Sequence, residues 1–329
     1  MRLFVRGRIA AIIGTAVTCA VAPMLAAPSA SAATSALEIA PYFETTGPHS
    51  ANLNTAVTKH GLKSFTAAFV LGKGCTPTWD DYSTITSTDA RSALVKKAKT
   101  AGATPILSFG GQSGNELAKV CTSATSLVTA YTGVINKFGV SKIDFDIEGV
   151  GPLNDTTTNT RRYQAIKTLE KNFPKLEVSV TIPVGLSGIN ANATYGNALA
   201  FLKLAKSQGA RIDVVNLMTM NYGSRVANMA TAATTAAKDA LAQIKTIWPA
   251  DTYNNIGITP MIGANDSAGE TFTYANAGTI VAFAHTNKVR RLAFWDLNRD
   301  QACGTGDTKP DTCTGLTQQP LDYTDAFLG

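Results

Sequence analysis

The 329-residue chain predicts an α/β fold, a (β/α)8 TIM barrel in a single domain. Two observations carry that reading. From residue 37 onward, short β-branched or apolar segments alternate with longer helix-like ones, and the units number eight, the count of a closed parallel barrel. No Pro/Ser linker, charged run or composition break divides the chain, and no internal repeat shows beyond that rhythm. A doubly wound open sheet is the alternative, but it usually has fewer strands and often a Gly-rich nucleotide turn, and neither is found.

The strands read, in order, as EIAPYFE (38–44), FTAAFVLG (65–72), TPILSFGG (104–111), KIDFDIEG (142–149), LEVSVTIPVG (176–185), IDVVNLMTM (212–220), NIGITPMIG (255–263) and RRLAFWDL (290–297). Helix-like runs lie between them, among them TDARSALVKKAKTAG, TTTNTRRYQAIKTLEKNF and MATAATTAAKDALAQIKTIW. The tail from Asn298 reads as a stapled loop leading into a last short helix.

Residues 1–32 read as a secretory signal: Arg2, Arg6 and Arg8, then an apolar run, then a small-residue ASA site. Residues 33–329 would form the barrel domain, a secreted protein acting as a monomer away from membranes. Pro23 and Pro28 interrupt the apolar run, against a transmembrane reading, and Thr18 fits poorly before a lipid-anchored Cys19. Cleavage removes three arginines and no acids, so net charge falls from +6 to +3. The remaining Lys and Arg are scattered without an aromatic-interleaved stripe, which argues against nucleic acid as a partner. Four cysteines remain, and an exported chain with an even number suggests disulfides. Cys303 with Cys313 would staple a local loop, leaving Cys75 with Cys121. Zinc is the rival, but there is no CxxC, and His49, His60 and His285 are dispersed.

The fourth strand carries the chemistry. Asp144, Asp146 and Glu148 alternate with Ile143, Phe145 and Ile147, so the acids share one face. Active sites of such barrels lie at the C-terminal strand ends, which places Asp146 and Glu148 at the mouth. Crowded carboxylates hold one another's protons, and a glutamic acid kept protonated near neutral pH can protonate a departing oxygen. A structural cation or a buried salt-bridge network is the bland alternative, but no companion acid cluster appears at neighbouring strand ends.

SKIDFDIEG resembles the DxxDxDxE signature of the family-18 glycoside hydrolases, the chitinases and their relatives. SFGG (Ser108 to Gly111) looks like that family's SxGG motif, LMTMNYG (217–223) like its strand-six motif, and FWDLNRD places Trp295 where the family keeps a tryptophan as sugar floor. The resemblance implies a secreted endo-acting chitinase on β-1,4-linked N-acetylglucosamine, working by substrate-assisted retention without metal or organic cofactor. Glu148 would be general acid and base, Asp146 would orient the acetamido group, and Asp144 would share a proton with Asp146 and tune both neighbours. Trp295, Asn221, Met220, Tyr42 and Gly111 would bind the chitin or N-acetylglucosamine oligosaccharide.

Two departures stand out. Ser141 and Lys142 replace the signature's first Asp and Gly at the strand's start, where a structural effect is expected. On strand six the family's tyrosine falls on Met220 and its aspartate on Asn221; Tyr222, on the same face as Met220 by alternation, would supply the hydroxyl. Trp79 is a softer sugar-binding candidate, and Trp248 reads as outer-layer core. GANDSAGETF (263–272) has no room for a wall domain, which predicts a shallow, open groove. An endo-β-N-acetylglucosaminidase acting on N-linked glycans and a non-catalytic lectin are the rival functions.

Overall fold

The computed structural model describes residues 36–80, 83–86, 88–305 and 312–329; the leader expected over 1–32 lies outside them. The described residues belong to one compact unit. Parallel strands Ser64–Lys73, Thr104–Gly110, Lys142–Asp146, Glu177–Gly185, Val214–Met218, Ile256–Thr259 and Arg291–Leu292 follow one another around the sheet. The first barrel strand is split: Glu38–Ile39 pairs with Arg291–Leu292, and Tyr42–Glu44 pairs with Thr66–Ala68. Its two halves bridge the last strand to the second and close the barrel, as the eight-unit rhythm predicts.

Several ladders are shorter than the apolar runs suggest. The fourth strand ends at Asp146, so Glu148 stands two residues beyond it. The sixth ends at Met218, before Met220 and Tyr222. The eighth keeps only Arg291–Leu292, with one further bridge between Met261 and Trp295. In each case the chain leaves the ladder where it turns into the mouth.

Helices Ala90–Thr100, Thr156–Asn172 and Met229–Lys245 match the helix-like runs and begin at side-chain caps on Asp89, Asp155 and Asn228. The last buries Ala233, Ala236, Ala237 and Ala240, a helical stripe of small residues. A Cβ on Gly188 would lie 2.8 Å from the Ala240 nitrogen, so backbone meets backbone there. Both expected disulfides, Cys75–Cys121 and Cys303–Cys313, are present. Trp79 is fully buried, donates to Ser92 Oγ at 3.0 Å and packs edge-on to Phe138: it is core, as Trp248 partly is.

At the N-terminal end of the barrel, ions are paired. Lys142 Nζ lies 2.7 Å from Glu38 Oε1, and Arg291 reaches Glu38 at 3.1 Å and Glu177 at 2.6 Å. Lys142, the residue departing from the signature, is thus a structural ion partner.

Candidate active site

Strand register builds the interior in layers. Asp144 lies level with Ser108 on one side and Ser179 on the other; Asp146 lies level with Gly110 and Thr181. Asp144 Oδ1 accepts from Ser179 Oγ (2.6 Å) and Thr181 Oγ1 (2.9 Å), and Oδ2 accepts from Ser108 Oγ (2.8 Å) and the Tyr42 hydroxyl (3.2 Å). Four hydroxyl donors therefore surround one carboxylate. Burial raises the Asp144 pKa, and the Ser179, Ser108 and Thr181 hydroxyls together with the Arg291 charge hold that rise back. Thr181 also accepts from Asn216, which accepts from Thr259, so the polar layer continues around the barrel.

Asp146 is different. Its Oδ1 is buried without a hydrogen-bond partner, and burial, then Glu148, then Asp144 push its pKa well above the usual carboxylate range. Burial lifts Glu148 to about 7. The rungs interact through charge, and Asp144 spends its acceptor sites on hydroxyls rather than on the proton shared with Asp146 that the sequence suggested.

The glycines of SFGG make this approach possible. A Cβ on Gly110 (φ +112°) would sit 2.0 Å from the Asp146 carbonyl oxygen, and one on Gly111 would sit 2.7 Å from the Phe69 ring. The Gly111 amide donates to that same Asp146 carbonyl at 2.9 Å.

A cavity of about 350 Å³ opens over these acids. Tyr42, Phe69 and Trp295 form its aromatic side: Trp295 stacks on Phe69 (centroids 5.7 Å, planes 13° apart) and meets Tyr42 at 5.7 Å. Asp146 and Glu148 open on it from the fourth strand, Met218, Met220 and Asn221 from the sixth. The arrangement offers a flat apolar face for a ring beside two carboxyl groups whose pKa burial pushes up, that of Glu148 to about 7.

Residues 38–262 match the family model described as glycosyl hydrolases family 18. The chain belongs to that family. Family-18 relatives agree along most of it. A crystal structure of the catalytic domain of a hyperthermophilic chitinase from Pyrococcus furiosus is 27% identical over 89% of this chain and 94% of its own, with a TM-score of 0.78. Catalytic-site mutants of active domain 2 of the thermostable chitinase from that organism, complexed with chito-oligosaccharides, superpose with a TM-score of 0.76 at 26% identity, covering 89% of this chain and 94% of theirs. A probable bifunctional chitinase/lysozyme of Escherichia coli is 28% identical over 81% of this chain, and endochitinase 11 of Metarhizium anisopliae 26% identical over 79%. This chain spans 31% and 52% of those two curated relatives.

Against this family-18 frame, the structure brings together Tyr42, Asp144, Asp146, Glu148, Met220, Asn221 and Trp295, with Asp144 just beneath the cavity its neighbours line. Gly111 instead lines an adjoining cavity of about 280 Å³ on the other side of Glu148. Tyr222 is not brought in. Alternation fails because the strand has already ended, and Asn221 turns the backbone through φ +49°. Tyr222 packs against the outer core, its buried hydroxyl without a partner and its amide on Glu270 Oε2 (3.1 Å).

Asn221 has a role that an aspartate could not fill. Its Nδ2 donates to Asp266 Oδ2 (2.7 Å) while its Oδ1 accepts from the Ser267 amide (3.1 Å). A carboxylate there would face the Asp266 carboxylate. The 263–272 segment is correspondingly not a plain run to the next helix: Gly263–Ala264 and Thr271–Phe272 pair antiparallel, and the hairpin carries Asp266 to the cavity. A small hairpin therefore stands on that side of the groove. Sequence reasoning missed Phe69, Thr181 and Asp266. Thr181 had a signal, since Ser179 and Thr181 alternate with valines and isoleucine in EVSVTIPVG; Asp266 had none, because the clasp joins residues 45 apart.

Proposed function

We propose that this chain is a secreted, endo-acting chitinase that hydrolyses β-1,4-linked N-acetylglucosamine with retention. The observation that carries the reading is a pair of carboxyl groups, Asp146 and Glu148, pushed toward their protonated forms by burial at the edge of an aromatic-sided cavity. The names of the relatives and the chito-oligosaccharide complexes of the Pyrococcus domain support the substrate class. Two disulfides, and the absence among the described residues of a helix long and apolar enough to cross a membrane, are compatible with export.

Glu148 protonates the glycosidic oxygen as the bond to the anomeric carbon breaks. The carbonyl oxygen of the sugar's own acetamido group takes that carbon, giving an oxazolinium ion. Asp146 accepts a hydrogen bond from the acetamido N–H through the Oδ1 that lacks a partner in the protein, which orients the acetamido carbonyl toward the anomeric carbon. Glu148, now ionised, takes a proton from the incoming water, which restores the anomeric carbon with its original configuration. Asp144 lies below, its carboxyl group held in place by four hydroxyls. Trp295 stacks under the reacting ring.

Chitin hexamer incubated with the protein, with fresh product followed by proton NMR, is the test. Initial β-anomer at new reducing ends is expected. Initial α-anomer would overturn retention, and binding without cleavage would move the assignment to a lectin.

A further inference from the structure

The cavity has a charge pattern that uncharged chitin does not explain. Besides Asp146 and Glu148 it is lined by Glu44, Asp80 and Asp266, and no lysine, arginine or histidine is among the described lining residues. The proposed chemistry uses the first two and not the other three. Asp80 is joined to the Thr46 hydroxyl. Asp266 is fixed with more care, by Asn221 from strand six, on a loop that Asn221 also holds through Ser267 and that Glu270 ties back to Asn265 (3.0 Å) and Tyr222 (3.1 Å). A carboxylate on an untethered rim loop would attract a cation weakly; one held in place loses less entropy on pairing. A second observation is independent of these rim acids: Asp146, which lines the same cavity, has a buried Oδ1 without a partner in the protein, and such an atom calls for an N–H donor.

We propose that the cleft selects partially deacetylated chitin, with Asp266 reading the ammonium group of a glucosamine unit next to the cleaved bond. The inference rests on the substrate-assisted reading above and constrains it. The reacting sugar must keep its acetyl group, because that carbonyl is the nucleophile and its N–H is the donor for Asp146. The ammonium must therefore sit on a neighbouring ring, opposite the rim acids rather than the acids at the reaction centre. A deacetylated neighbour gains an ion pair where an acetylated one presents only a neutral amide to Asp266.

The test is digestion of a random, partially deacetylated chitin at about pH 5.5, where the amine is protonated, followed by mass-spectrometric sequencing of the products. Every new reducing end is expected to be N-acetylated, and glucosamine is expected to be enriched roughly threefold at a position flanking the cleaved bond. Asp266→Asn should remove most of that enrichment, and Asp266→Lys should turn it into depletion. Raising salt from about 0.02 M to about 0.5 M should flatten the wild-type preference, since the Debye length contracts several-fold. Flanking glucosamine unchanged in Asp266→Lys overturns the inference while leaving the hydrolase assignment intact. Deacetylated reducing ends, or no cleavage of either this polymer or chitin hexamer, would instead overturn the substrate-assisted reading, and the inference with it.

Discussion

The two ends of the barrel bury the same functional group and push it in opposite directions. At the N-terminal end, burial alone would raise the Glu38 pKa, but the Arg291 and Lys142 charges outweigh it and hold the group down at about 2. At the C-terminal end the cations that share a cavity wall with Asp146 and Glu148 are engaged elsewhere, Lys119 with Asp155 and Arg162 with Glu116; burial acts unopposed, and Glu148 rises to about 7. Lys142 and Glu148 lie six residues apart on one segment, so the passage from paired to unpaired charge runs along a single strand and just beyond it. Asp144 stands between, reached by Ser179, which also accepts from Arg291 at 3.1 Å. The lesson is that burial by itself does not make a reactive acid. Burial without a cation does.

The sharpest way to break this comparison is Glu148→Gln. Hydrolysis of chitin hexamer should fall by roughly a thousandfold or more, with oligosaccharide affinity kept by calorimetry. The same substitution has a second readout. A folded pKa of about 7 above an ordinary 4.5 means that the native state binds the proton more tightly, so this group's contribution to stability declines as pH rises through that window and stays low above it. The glutamine variant should therefore be more stable than the wild type at alkaline pH, by on the order of 1–3 kcal/mol, and equal to it at acid pH. Urea denaturation at both pH values measures this; an alkaline loss of stability would show that Glu148 has a cation.

Arg291→Met attacks the other end. It leaves Glu38 and Glu177 buried with fewer partners and should destabilise the fold by about 3–5 kcal/mol. It should also raise the Asp144 pKa, since the Arg291 charge is one of the influences holding that value down. Denaturant midpoints give the first effect, and a loss below about 1 kcal/mol would mean that Lys142 and Arg290 carry the network unaided. A milder form is Glu38→Gln. Because Glu38 titrates at about 2 when folded, its stabilisation is present above the ordinary carboxylate pKa and lost as pH falls towards 2. Acid unfolding should accordingly be less steep in the variant.

The pH–rate profile sharpens the upper half. kcat/KM should fall on the alkaline side around pH 7, where the proposed acid loses its proton. Because Asp146 and Glu148 interact, the limb belongs to the pair; burial alone raises Glu148, so Asp146→Asn should lower the rate while leaving the limb within about half a pH unit of its place.

What the sequence made legible follows from range. The barrel, the helices and the acid face depend on periods of two and 3.6 within a segment, and eight repeats of a local pattern leave few topologies. The aromatic wall was half visible, through Trp295 and Tyr42 but not Phe69, whose place depends on how the second strand bends toward the mouth. The Asn221–Asp266 clasp could not be read at all. Where the ladder ends and the chain turns, alternation ceases to predict direction, and the residues just past a strand end are the ones that form the mouth.

Tyr222 is the residue on which that difference turns, and its expected effect is the smallest. Alternation placed its hydroxyl beside Met220; the turn at Asn221 places it against the outer core, buried, unpartnered and with its pKa raised by burial and by Glu270. A buried hydroxyl without a partner contributes nothing that phenylalanine would lack. Tyr222→Phe should leave kcat within about twofold and stability equal or up to about 1 kcal/mol higher. A tenfold fall in kcat at unchanged KM would mean that the hydroxyl reaches the acetamido oxygen during turnover, and that the hairpin clasped by Asn221 moves when substrate enters.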